Sequence, residues 1–111
     1  MPRHKRNYSK RSLQAMKVFA KQIQIARKEH RWTEAELAER AGTTRPTIRQ
    51  IEKGSPSTGL GLYFEVATLL GIPLFATDER NLTALESSLD MRATLLPRRI
   101  DKEEEEVFDD F

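Results

Sequence analysis

TEAELAERAGTTRPTIRQIEKG, Thr33 to Gly54, carries two short helix patterns joined by one glycine turn. Thr33 followed three positions later by Glu36 forms a capping box, in which hydroxyl and carboxylate each take one helix-start amide, so a helix begins at about Glu34. Leu37, Ala38 and Ala41 give it a narrow apolar stripe that suits close approach by a neighbouring helix. Gly42 ends it, because the residue past a last turn often needs positive φ, which glycine adopts cheaply. A second helix opens near Thr44, whose hydroxyl can cap it. Pro46 falls in the first turn, where a missing amide costs little. Proline also disfavours the helical region for Arg45, which leaves the cap open between Thr44 and Arg45. Ile48 and Ile51 face inward, so Arg45, Pro46, Thr47, Arg49, Gln50 and Lys53 point elsewhere, a set rich in groups that reach base edges or phosphates.

The spacing of Ala38, Gly42 and Ile48, within the run AELAERAGTTRPTIRQIEKG, resembles the phage-repressor-like, XRE-type helix-turn-helix family over about Phe19 to Leu74. The resemblance implies an all-α, five-helix domain that binds operator DNA as a dimer on an inverted repeat. Carried over by position, it assigns base readout to Arg45, Pro46, Thr47, Arg49 and Gln50. It assigns phosphate contacts to Thr44 and Lys53, and a buried ion pair between helices 1 and 3 to Arg27 and Glu52. Beside these, Thr43 and the loop residue Ser57 are candidate phosphate contacts, although turn chemistry alone would give the loop the same composition. This chain departs from the family at two places. Glu34 stands where many relatives have a glutamine that contacts phosphate, and a carboxylate there repels the backbone unless a nearby arginine or lysine compensates it. Pro46 replaces a polar reader and offers only apolar contact, for instance to a thymine methyl.

At 111 residues, 38% hydrophobic and 32% charged, the chain has room for one small helical domain and its tails. It has no cysteine, which excludes disulfides and thiolate metal sites and fits a reducing cytoplasm. It shows neither a bilayer-length apolar run nor a secretory leader, so no membrane association is expected. The net charge of +2 conceals a division. Between Asp101 and Phe111 seven acids face the single Lys102, leaving about −6 there and about +8 on the first hundred residues. The basic body has the sign that condenses onto phosphate, and the tail suits solvent or a basic protein surface.

Residues 1–11 read as a basic arm, with Arg3, Lys5 and Arg6 able to lie along phosphates or simply to keep the terminus soluble. Residues 12–76 read as the helix-turn-helix domain, opening on a long amphipathic helix from Ser12, its cap, to about His30. Trp32 reads as core filling. His4 and His30 have no partner at fitting spacing, so no metal or catalytic site is expected. Gly54 to Thr58 is a turn-rich connection, and Gly59-Leu60-Gly61 lacks the preceding strand a nucleotide loop needs. Leu62, Phe64, Val66, Leu69 and Leu70 mark a fourth helix ending at Gly71, with Leu62 and either Tyr63 or Phe64 closing over Ile48 and Ile51.

Ile72 to Ala76 fits either a short edge strand, where a second subunit could pair, or the start of a fifth helix. In residues 77–100 Asn81 caps a helix whose Leu82, Leu85 and Leu89 suit packing, dimer or partner contact. Residues 101–111 have too little apolar area to fold alone and are expected to be disordered in the free protein.

Three functional readings are consistent with these features. The first is a sequence-specific repressor, a dimer because one short recognition helix covers only a few base pairs. The order of domain, Pro-Leu-Phe segment and acidic end also resembles the HipB-like antitoxins of type II toxin-antitoxin operons. That resemblance implies autoregulation, a HipA-like serine/threonine kinase toxin as partner, and toxin contact by Phe108 and Phe111. The second is a stand-alone repressor with a solvated tail, and the third an adaptor using the same fold on protein. No nucleophile with a base, carboxylate pair or cofactor loop appears, so neither enzymatic activity nor a cofactor is expected.

Overall fold

The computed structural model describes residues 6–75, 77, 79–100 and 102. The helices are α1 (Lys10–Glu29), α2 (Glu34–Ala41), α3 (Arg45–Glu52), α4 (Leu60–Leu69) and α5 (Glu79–Thr94). They divide between two compact units, Met1–Ala76 and Thr77–Phe111.

In the first unit α3 lies against both α1 and α2, and α4 lies against α2. Ile23, Leu37, Ile48, Ile51 and Val66 are wholly buried, with Ala38, Tyr63 and Leu70 nearly so. Each aliphatic side chain taken from water contributes about 1.5–3 kcal/mol before conformational entropy is charged against it. Met16, Phe19, Trp32 and Leu62 pack around this cluster. Of the two candidate aromatics in α4, Tyr63 fills the core. Its ring centroid lies 5.8 Å from that of Phe19, and its hydroxyl donates to the Ser55 carbonyl at 2.7 Å. Phe64 is only half-buried and meets the Phe75 ring edge-on at 6.0 Å.

The helix ends follow local chemistry. Thr33 accepts from the Glu36 amide at 3.1 Å while Glu36 accepts from the Thr33 amide at 3.2 Å, the reciprocal box. Thr44, not Arg45, caps α3 by accepting from the Thr47 amide. The start of α1 differs from expectation. Ser9 is its cap, accepting from the Ser12 amide at 3.2 Å, so Ser12 lies inside the first turn. Two serines three apart offer the same chemistry, and the upstream one takes the end of the helix.

After α2 the amide of Gly42 bonds to the Glu39 carbonyl and that of Thr43 to the Ala38 carbonyl, with Gly42 at φ +69°. The same paired bonds close α1, but there the left-handed residue is Arg31 at φ 61°. Past α3, Gly54 is under a second constraint. At φ +76° it comes so close to α1 that a Cβ would lie 3.1 Å from the Met16 carbonyl oxygen and 3.2 Å from the Lys17 nitrogen.

Arg27 ties α1 to α3. Its Nε donates to Glu52 Oε2 at 2.7 Å, Nη2 to Oε1 at 3.0 Å, and Nη1 to the Trp32 carbonyl at 2.8 Å. The side chains are 10% and 5% exposed. The hydrogen bond to Glu52 holds the Arg27 guanidinium above its ordinary pKa, against the opposing effect of burial. Trp32 is half-buried rather than fully enclosed, and the Arg40 guanidinium stacks over its ring at 4.2 Å.

Among the described residues Ile72 to Thr77 forms neither a strand nor a helix: Leu74 and Thr77 are isolated bridge positions. Pro73 supplies no amide for a ladder, which keeps the segment from extending as a strand. In the second unit α5 starts at Glu79, so Asn81 sits inside it and is not its cap. Leu82 is half-buried, whereas Leu85, Leu89, Met91, Leu95 and Leu96 are exposed.

Candidate nucleic-acid interface

The solvent side of α3 follows from what its inner side buries. With Ile48 and Ile51 turned into the core, the 100° step of a helix sends Arg45, Pro46, Arg49, Gln50 and Lys53 outward, and all five are exposed. Arg45 and Arg49 keep 56% and 52% of their side-chain surface in solvent. Pro46, Arg49, Gln50 and Lys53, joined by Ser55, line a shallow hollow of about 310 Å³. The patch carries three cations, one amide and one apolar ring, a mixture suited to phosphates, base edges and a thymine methyl.

Thr47 is placed differently from its neighbours. It is half-buried, and its hydroxyl lies 2.9 Å from that of Thr44 in the first turn of α3. Thr44 is exposed, Thr43 half-buried, and the exposed Ser57 hydroxyl lies 2.8 Å from that of Ser55. Arg6 is exposed and holds its guanidinium 5.6 Å from the Tyr8 ring centroid. Arg3 and Lys5 of the expected arm lie outside the described residues, as do Phe108 and Phe111.

Glu34 has the compensation its position requires. Its Oε1 lies 3.5 Å from Arg49 Nε and 3.8 Å from Arg45 Nε, so one carboxylate oxygen at the start of α2 faces two guanidinium groups of α3. Exposed pairs of this length contribute little stability. They do restrict where two long side chains point. Sequence reasoning singled out Glu34 as an outlier but did not identify its arginines, because contacts 11 and 15 residues away depend on how α2 and α3 cross. Ser55 was missed as a lining residue for a similar reason: its position is set by the Gly54 turn and the Tyr63 hydroxyl. No described helix is long and apolar enough to cross a membrane.

Residues 23–76 match the helix-turn-helix family model, and the segment from α1 to the end of α4 has that architecture: α2, the Gly42 turn, and α3 held against α1 and α2. The chain is similar to the uncharacterized HTH-type transcriptional regulator y4dL of Sinorhizobium fredii, with 31% identity over 72 residues. That alignment covers 65% of this chain and 37% of the relative, so the chain spans little more than a third of that protein. No solved structure matches the chain.

Proposed function

We propose, from the premise of a helix-turn-helix domain at residues 23–76, that this protein is a sequence-specific DNA-binding transcriptional repressor. One observation carries the reading: the exposed side of α3 collects Arg45, Arg49, Gln50 and Lys53 while its other side is sealed by Ile48 and Ile51. In this reading α3 enters the major groove. Arg45 and Arg49 grip guanine O6 and N7, Gln50 reads adenine, and Pro46 meets a thymine methyl. Thr47 reads through its methyl or after its hydroxyl leaves Thr44, and Thr43, Thr44, Lys53, Ser57 and the arm residues Arg3, Lys5 and Arg6 position the protein on phosphates. A homodimer on an inverted repeat extends a readout of only a few base pairs, and exposed Leu85 and Leu89 supply apolar surface for association.

Arg49→Ala tests direct readout. Selection from a randomised duplex library should show preference relaxed at one base pair, with about 1–3 kcal/mol of discrimination lost there. Equal weakening on every sequence would reassign Arg49 to the backbone. Duplex binding that is absent, or insensitive to salt, would favour the adaptor reading instead.

The finer reading, a HipB-like antitoxin that binds a HipA-like kinase toxin and represses its own operon, rests on the resemblance of the Pro-Leu-Phe segment and acidic end. Phe108 and Phe111 would make the toxin contact. Co-purification of a kinase from the native host, lost when the tail is removed, tests it; a tailless chain that still retains the kinase would sink that assignment.

A further inference from the structure

We infer that Glu34 is a specificity-determining positioning residue, which aims Arg45 and Arg49 at guanine by drawing the Nε side of each toward one carboxylate oxygen. The inference rests on the DNA-binding reading above and deepens it.

Three observations carry it. Both contacts run through Nε to the same oxygen, Glu34 Oε1, at 3.5 and 3.8 Å. Among the described residues the Nη1 and Nη2 groups of these arginines make no hydrogen bond within the protein. Glu34 itself is largely covered, its side chain 23% exposed, so it moves less freely than the arginines it holds.

A guanidinium presents five donors in a planar fork, and reading guanine takes two of them, one for O6 and one for N7. A carboxylate beside Nε leaves the terminal pair to do so, and it narrows the directions in which that pair points. An unrestrained arginine has to give up rotamer freedom on binding, and it can satisfy itself equally well on a phosphate. Glu34 acts against both. It orders the two side chains beforehand, and its negative charge makes purely electrostatic association weaker. This explains why a position at the edge of the patch carries an acid: affinity for arbitrary duplex is reduced and the difference between right and wrong bases is increased.

The test uses the full chain, a randomised duplex DNA library, and three proteins: wild type, Glu34→Gln and Glu39→Gln. Glu39 is exposed on the same helix and forms no ion pair with Arg45 or Arg49, so its substitution removes the same charge without touching the contact. Wild type should enrich guanine at two positions of each half-site. Glu34→Gln should lose roughly three- to tenfold of that preference, a part of what a bidentate contact supplies. It should also bind unrelated duplex more tightly, with a salt slope steeper by about one unit as an arginine is freed for phosphate. Glu39→Gln should keep the wild-type preference, and thermal unfolding should show all three proteins folded. An unchanged guanine preference in Glu34→Gln, or an equal loss in Glu39→Gln, would overturn the positioning role while leaving DNA binding intact. If wild type enriched no sequence, the DNA-binding reading would fall and this inference with it.

Discussion

Helices α3 and α5 are built from similar proportions of aliphatic and charged residues, yet they end in opposite situations. The eight residues of α3 bury Ile48 and Ile51 completely and lock Glu52 onto Arg27. The sixteen of α5 leave Leu89 49%, Met91 69% and, just beyond its end, Leu95 80% exposed. Length therefore does not decide which helix is held by its surroundings. In α3 the two isoleucines are three positions apart, on one side, facing two other helices. In α5 Leu82, Leu85 and Leu89 also share one side, yet Leu85 and Leu89 remain exposed, and an isolated helix of that length is marginal in water. The element proposed to read DNA is thus held by tertiary packing, while the one at residues 79–94 keeps Leu85, Leu89 and Met91 exposed.

The comparison fails if α3 proves easy to loosen. Arg27→Ala removes the partner of a carboxylate with 5% exposure and strands the Trp32 carbonyl, so a loss of about 3–5 kcal/mol is expected, lowering the melting temperature by more than about 10 °C. A loss below about 1 kcal/mol would mean that Glu52 escapes to water. A smaller effect is expected at Tyr63, whose hydroxyl anchors the loop after α3 through Ser55. Tyr63→Phe should cost about 1 kcal/mol at neutral pH. Burial raises the Tyr63 pKa above its ordinary value near 10, so the folded state keeps the proton more tightly than the unfolded chain. That contribution is complete below about pH 10 and fades as pH climbs through the folded-state value. Denaturant melts of wild type should therefore weaken above about pH 10 more than those of Tyr63→Phe; parallel curves would show that the phenol is not responsible. The smallest effect sharpens the contrast. Leu89→Ala should alter unfolding of the first unit by less than about 0.5 kcal/mol, and a loss of 2 kcal/mol would show that α5 supports it.

Where one residue's own chemistry determines the outcome, the sequence was enough. The Thr33–Glu36 box, the Gly42 turn and the inward pair Ile48 and Ile51 follow from spacing and conformational cost, and the match to the helix-turn-helix family agrees with the all-α, five-helix reading. Neighbours with equal local merits were not separable. Ser9 and Ser12 can each cap α1, and Tyr63 and Phe64 differ by one step of 100° on α4 whose direction is set only by what α2 offers. The left-handed Arg31 gave no signal, because arginine is rare in that conformation and the closing bonds of α1 impose it. The union of Glu34 with Arg45 and Arg49 was equally hidden, since it depends on the crossing of two helices and not on either alone.

The near-collision that Gly54 permits with the α1 backbone has a mechanical consequence. Main chain rests on main chain there, so α3 cannot tilt toward α1 at that point without displacing backbone atoms, which do not swivel as side chains do. On a duplex the give would have to come from the nucleic acid. Pliant base steps beside the contacted ones would then be favoured even where no side chain touches them.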